Sequence, residues 1–371
     1  MNRDDAITIA FAERLLALLD RRRSFTATYK YAVLLGLLDL CLEHSGRHGE
    51  PPSSVTTRQL AEKVIALYWP QSRDYPGRGG ILKQNAGRSA KILRHIEEFR
   101  SRPGVDPSAP LCWMENPHDP AWSALVRDVE WVLVDMPLPR LQSIGDHHEH
   151  LIYSIQWEAG GITRPQFERY EFGNQITFLA GAAAKLVSLS GLLRPILHRE
   201  WAAKVARLNR LPESELEDFL FGADRRGARR LLAPLREMQD NRCFYCCSTL
   251  GTPHVDHFIP WARHPDDGVD NLVVADANCN GSKSDYLAST DHVARWWRRS
   301  HERTADLAGI ASAAGWEHHS DRSIATTRGI YWNLPEESRL WQVSKQFVPL
   351  RLRDLARALG SEETAHSGSL E

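Results

Sequence analysis

The segment from Cys243 to Asp285, CFYCCSTLGTPHVDHFIPWARHPDDGVDNLVVADANCNGSKSD, constrains the chain more than any other. It sets thiols, carboxylates, an imidazole and amides at fixed intervals. Cys243-x-x-Cys246 comes first, then the adjacent Asp256 and His257. Asn271 follows fourteen residues after the histidine and Asn280 nine after that, beside Cys279 and shortly before Lys283. Val255 to Pro260 reads as a short strand, on which successive side chains take opposite faces, so Asp256 and His257 part from one another. A helix is expected from about Asn278 to Ala288, with Asn271 in the loop between two strands.

The stretches VDHFIP, DNLVV, CN and KSD carry a resemblance to the HNH nuclease family over roughly residues 243–288, under a seventh of the chain. Over that stretch the sequence is also similar, with no gap, to the HNH domain of the RNA-guided CRISPR effector nucleases, whose signature residues are likewise histidine, asparagine and asparagine. The resemblance implies that His257 is a general base, that Asp256 and Asn280 bind Mg²⁺ (or Mn²⁺), and that Asn271 pins the loop and so positions His257. The residue types suit this chemistry. Phosphodiester hydrolysis needs a base to activate water, a cation to stabilise developing charge and a group to orient the base. An imidazole with an ordinary pKa of about 6.5 is mostly neutral at pH 7. An amide oxygen at a helix start can complete a hard-oxygen site. Lys283, one turn beyond Asn280, is placed to meet a phosphate as a point charge.

The cysteines make a second pattern. Cys243-x-x-Cys246 has zinc-knuckle spacing, and Cys279 stands where many HNH proteins carry a second C-x-x-C, whose first position is Asp276 here. The expected structural Zn²⁺ set is Cys243, Cys246, Asp276 and Cys279. A centre that borrows Cys247 or His254, a knuckle that holds no metal, and a pocket of buried free thiols all stay open.

At 371 residues the chain can hold two or three domains. Of its six cysteines four lie in the run and Cys41 and Cys112 are isolated, which argues against a disulfide framework and for a reducing, cytoplasmic setting. The most apolar segment, Tyr31 to Leu42, is short and interrupted by Gly36 and Asp39, as in a buried helix and not a membrane span. The opening MNRDDAITIAFAERLL lacks the cationic start and cleavage site of a secretion signal. A net charge of −1 excludes a globally basic nucleic-acid binder, so any footprint must be local. Arg225, Arg226, Arg229, Arg230 and Arg236 precede the run; Arg295, Arg298 and Arg299 follow it, around Trp296 and Trp297. The arginines read as a backbone-gripping collar or as solvated helix faces, the tryptophans as core anchors.

The first hundred residues read as helices at about Asp5–Arg22, Tyr29–His44, a third opened by the capping box Thr56-x-x-Gln59 and stopped by Pro70, and about Gly87–Arg102. They form a scaffold, a partner surface or a DNA reader. Farther on, WVLVDMP, HLIYSIQWE and YEFGNQITFL look like strands, and a helix-rich stretch from Ala182 to Asn209 is interrupted around Pro195. The cluster His147, His148, Glu149 and His150 reads as exposed linker. After the run come a helix over Asp291–Gly315, a loop with His318 and His319, a connection bearing Trp332 and Trp341, and a last helix near Pro349–Leu359.

The expectation is therefore an α+β protein. It comprises a helical N-terminal domain (1–102), a mixed connecting region (103–234), an HNH module (235–290), a helical C-terminal cap (291–360) and a disordered tail (361–371). Its expected activity is Mg²⁺- or Mn²⁺-dependent endonucleolytic cleavage of DNA, with Lys283, Arg229, Arg230, Arg298 and Arg299 as nucleic-acid contacts. One module cuts one strand per engagement, so a double-strand break needs two copies or two turnovers. Stand-alone HNH proteins that resemble this one occur in bacterial genome defence and restriction. With no P-loop or Rossmann fingerprint, energy-driven movement would come from another subunit. A nuclease subunit silent until it docks a sensor or ATPase, a homodimer, and a module that binds RNA or modified DNA stay open as alternatives.

Overall fold

Apolar side chains gather around two separate cores. The computed structural model describes residues 3–19, 27–77, 79–87, 90–106, 109–144, 147–169, 172–213, 216–223 and 227–360. It divides into one unit of residues 1–41 with 51–223 and a second of residues 42–50 with 224–371. The architecture is α+β, with small sheets among many helices.

In the first unit α1 (Arg3–Leu18), α2 (Tyr29–Glu43), β1 (Ser54–Thr56), α3 (Thr57–Tyr68) and α4 (Lys91–Arg100) are followed by α5 (Pro120–Asp135) and α6 (Pro137–Arg140). Then come β2 (Ser143–Ile144), β3 (His147–His148), β4 (Tyr153–Ser154), α7 (Arg164–Phe167), β5 (Gln175–Phe178), α8 (Ala182–Ser188), α9 (Ser190–Asn209) and α10 (Leu216–Phe221). α2 is buried from Tyr31 to Leu42, and Asp39, the charge inside that apolar run, is buried in an ion pair with Arg194 of α9. α3 begins as its sequence dictates: Thr56 Oγ accepts the Gln59 amide at 3.1 Å and the Gln59 side chain accepts the Thr56 amide at 2.8 Å. The helix packs on α4 and α5. No described helix is long and apolar enough to cross a membrane.

Several expectations change. β1 pairs antiparallel with β5, Ser54 opposite Thr177, so residues 1–102 and the region after them share one sheet and residue 102 is no boundary. WVLVDMP is not a strand; all but its last two residues lie in α5. Asp119 caps α5 by accepting the Ala121 amide at 2.9 Å, and Trp122, Leu125, Val126, Val129 and Leu133 bury one face at helical spacing. The β-branched tail of that helix misleads when read alone. The break expected at Pro195 falls at Leu189, and Pro195 sits early in α9. Within the stretch expected as exposed linker, His147 and His148 form β3 of a two-stranded hairpin with β2, and Glu149 pairs with Arg14. Arg225, Arg226 and the tail from residue 361 lie outside the described residues.

The second unit holds α11 (Leu232–Met238), β6 (Pro253–His257), β7 (Leu272–Asp276), α12 (Ala277–Lys283), α13 (Thr290–Glu302), α14 (Thr304–Ala314), α15 (Ser320–Trp332), β8 (Arg339–Val343), β9 (Gln346–Pro349) and α16 (Leu352–Ala358). β6 and β7 pair antiparallel, Pro253 opposite Asp276 and His257 opposite Leu272, and α12 packs on both, making a ββα unit. The region after it is not wholly helical: the connection bearing Trp341 is the hairpin β8–β9, with Trp341 opposite Phe347. The last two residues of α2 belong to this unit together with the loop to Glu50. We expect Thr56→Ala to destabilise the first unit by about 1 kcal/mol, and Thr56→Ser to retain most of that, in urea unfolding.

Candidate active site

β6 delivers Asp256 and His257 at its C-terminal end. Asp256 is buried, and its Oδ2 accepts the Tyr245 hydroxyl at 2.5 Å and the Lys283 ammonium at 3.1 Å. Tyr245 lies wholly inside, edge-on to Phe244, His292 and Trp341. Burial first, and the Asp256 charge second, push its phenol well above the ordinary range, so it stays a donor. Lys283 also donates to the His257 carbonyl at 2.8 Å. This corrects one expectation: Lys283 has no exposed surface and fastens α12 to β6 instead of meeting a phosphate.

His257 is half-buried, with Trp261 beside its ring at 5.3 Å between centroids. Its Nε2 contacts the Asp267 carboxylate at 2.8 Å. Asp267 was missed by sequence reasoning, although HPDDGVD offers three acids between the histidine and Asn271, and a base needs an orienting partner. Asn271 is buried and holds the same loop from within. Its Oδ1 accepts the Ile259 amide at 2.8 Å, and its Nδ2 donates to the Ile259 carbonyl at 3.1 Å and the Asp266 carbonyl at 3.0 Å. The backbone just before Asp267 is thereby fixed.

The loop is also held from outside. The Asp266 carboxylate accepts Arg322 at 3.0 Å, Ser323 at 2.7 Å and the Gly268 amide at 3.0 Å. Although burial opposes its charge, Arg322, His264 and these hydrogen bonds hold it well below the usual carboxylate range. Trp316 donates to the Asp267 carbonyl at 2.5 Å and Trp296 to the Asp270 carbonyl at 2.9 Å. Arg299 is buried too, donating to the Leu272 carbonyl at 2.6 Å and to the Asp270 carbonyl. A second expectation is thus corrected, since Arg299 is a loop brace and offers nothing to nucleic acid. Arg229, Arg230 and Arg298 are exposed, the first two on a short turn that packs on β6.

Asn280 lies in α12 one turn before Lys283, on the side that meets Asp256. Its amide takes no hydrogen bond among the described residues, and the Asp256 Oδ1 likewise has no partner. A carboxylate oxygen and an amide oxygen are donor types that suit a hard divalent cation such as Mg²⁺, with water completing the shell.

The Sγ atoms of Cys243, Cys246 and Cys279 lie within 4.8 Å of one another. Tetrahedral Zn–S bonds of about 2.3 Å set sulfurs roughly 3.8 Å apart, so the trio fits zinc. Asp276 is not part of this group. It caps α12 by accepting the Asn278 amide at 3.1 Å, and it also accepts the Gly251 and Thr252 amides, each at 3.1 Å. The Thr252 amide above all, with those of Asn278 and Gly251, lowers its pKa. This third correction leaves three thiols, with Cys247 and His254 exposed nearby in the chain.

Residues 245–289, the stretch that holds this geometry, match the family profile of the HNH endonucleases. A second profile, a domain of unknown function (DUF8808), matches residues 15–220, more than half of the chain. The chain belongs to the DUF8808 family. The DUF8808 match ends close to the last residue of the first unit, and the HNH match lies wholly within the second. Neither a curated protein nor a solved structure matches the chain.

Because its charge is buried and paired, Lys283→Ala should destabilise the second unit by about 3 to 5 kcal/mol in chemical unfolding, a loss that a surface phosphate contact would not produce. Native mass spectrometry should find about one zinc per chain. Cys243→Ser should lose it and Asp276→Asn should keep it.

Proposed function

We propose that this DUF8808 protein is a metal-dependent endonuclease that hydrolyses phosphodiester bonds of DNA. The observation that carries the reading is the His257–Asp267 contact at 2.8 Å, on the strand that also presents Asp256 with one oxygen unengaged. Asp256 and Asn280 would hold Mg²⁺ or Mn²⁺, and when bound that ion would stabilise negative charge on the phosphoryl and leaving oxygens.

The chain's own residues do the rest. The Asp267 carboxylate accepts a hydrogen bond from the Nε2–H of His257, which holds the tautomer that leaves Nδ1 with its lone pair. His257 takes a proton from a water as that water's oxygen bonds to phosphorus. The phosphorus–oxygen bond to the leaving group breaks, and the leaving oxygen is protonated from solvent. Asn271 acts through the loop, and Tyr245 and Lys283 fix the orientation of Asp256. The similarity to stand-alone HNH proteins of genome defence and restriction makes foreign DNA the substrate we assign.

One observation favours a second reading. More than half of the chain is a separate unit that carries none of the nuclease residues, and the net charge of −1 gives no global pull on DNA. That unit would then dock a partner, with cleavage awaiting it.

Supercoiled plasmid with Mg²⁺ or Mn²⁺ tests both. Conversion to nicked or linear DNA by wild type, abolished by EDTA and reduced roughly 10²- to 10⁴-fold in His257→Ala, supports the first reading. Folded, zinc-loaded wild type that leaves the plasmid intact overturns it in favour of the second. Asp267→Asn should lower kcat roughly 10- to 100-fold while leaving KM unchanged.

A further inference from the structure

We infer that the β8–β9 hairpin, together with Tyr286, forms a stacking platform for an unpaired base of the DNA strand next to the cleaved phosphate. This inference rests on the nuclease reading above. Tyr286 is 52% exposed, a large side chain left in solvent just past α12. Its ring stands edge-on to Phe347 of β9, with centroids 4.8 Å apart. The Arg339 guanidinium lies 4.8 Å from the centre of the Phe347 ring. Arg339 is exposed, as is Lys345 at the tip of the hairpin. The result is an aromatic surface edged by two cations, a combination that suits a polyanion with flat bases and an apolar protein partner less well.

The platform is fixed to the candidate site by named bonds. The Tyr286 amide donates to the Lys283 carbonyl at 2.9 Å, and the Lys283 ammonium is the group that holds Asp256 and the His257 carbonyl. From the hairpin, the Ser344 carbonyl accepts the Ser282 hydroxyl of α12 at 2.9 Å. Trp341 of β8 donates to that same carbonyl at 2.8 Å and packs edge-on against Tyr245, whose hydroxyl binds Asp256. A strand whose phosphate reached Asp256 and Asn280 would pass the exposed face of Tyr286 within a few nucleotides. Stacking asks only for a π-face, so the platform accepts any base and adds affinity without sequence preference. In a duplex the faces are already occupied by neighbouring bases, and the gain falls on a frayed, nicked or single-stranded segment.

The test is fluorescence anisotropy of the full-length, zinc-loaded protein with a labelled single-stranded oligonucleotide and the matching duplex, in EDTA so that nothing is cut. Tyr286→Ala should weaken single-strand binding by about 5- to 100-fold, Tyr286→Phe should bind like wild type, and duplex binding should be unchanged. Thermal melting confirms that both variants fold. Equal single-strand affinity of wild type and Tyr286→Ala overturns the proposal, and so does a wild type that binds no single strand. Loss of self-association in Tyr286→Ala, with DNA binding intact, overturns it by assigning the face to a second copy of the chain. Binding is read without cleavage, so the two readings fail separately. An inactive wild type with Tyr286-dependent binding sinks only the nuclease reading, and a cleaving wild type indifferent to Tyr286 sinks only the platform.

Discussion

A single buried ammonium joins the two halves of the ββα unit. Lys283 reaches from the last turn of α12 to the Asp256 carboxylate and the His257 carbonyl, both on β6. A lysine without solvent is stable there only because a carboxylate and a carbonyl replace its water, and each partner becomes costly to remove. The orientation of α12, and with it the position of Asn280, therefore depends on the same carboxylate that offers its other oxygen to a metal. Fold and site share one electrostatic contact, so the helix cannot shift without moving a candidate ligand.

A second constraint acts on the loop between β6 and β7. Asn271 ties its two ends; side chains from much later in the chain hold the rest, with Trp296 and Arg299 of α13 at its entry into β7, and Trp316 after α14 and Arg322 and Ser323 of α15 at its middle. The buried pair of His264 with Glu43 brings the end of α2 to the same loop. The helices after the ββα unit are therefore more than a cover. Several carbonyls of an irregular, buried loop need donors, and arginine and tryptophan supply them over distances that shorter side chains do not span. Asp267, and through it the imidazole of His257, takes its position from this bracing.

What the sequence made legible follows from range. Asp256, His257, Asn271 and Asn280 lie on one strand, one strand entry and one helix, so a resemblance to the HNH family carried by this short stretch groups them as candidates. The roles of Lys283 and Arg299 turn on which way a long side chain points. A basic residue near a phosphate site and one folded back into the core look the same in sequence, and burial separates them. Asp276 resembles a ligand because it fills a cysteine's place, yet an aspartate directly before a helix is also the ordinary N-cap, and three backbone amides claim it. The run WVLVDMP shows the opposite failure, with β-branched content winning over a helical period that becomes visible only from Trp122 onward.

The thiol cluster connects to the chemistry through a tyrosine. Cys243 and Cys246 flank Phe244 and Tyr245 in a tight hook, closed by Cys243 donating its amide to the Ser248 carbonyl and tied to β7 by the Phe244 amide on Val274. The Cys243 sulfur also accepts the Asp276 amide at 3.3 Å, where β7 becomes α12 and where Cys279 arrives from the helix. A zinc ion bound by these three sulfurs would clamp hook, strand and helix at one point. Tyr245 rides on that hook and holds the Asp256 carboxylate from behind. With zinc bound, the cluster would therefore stabilise a candidate carboxylate without touching it, and separating sulfur donors from oxygen donors would keep two metals of different hardness from competing for the same place.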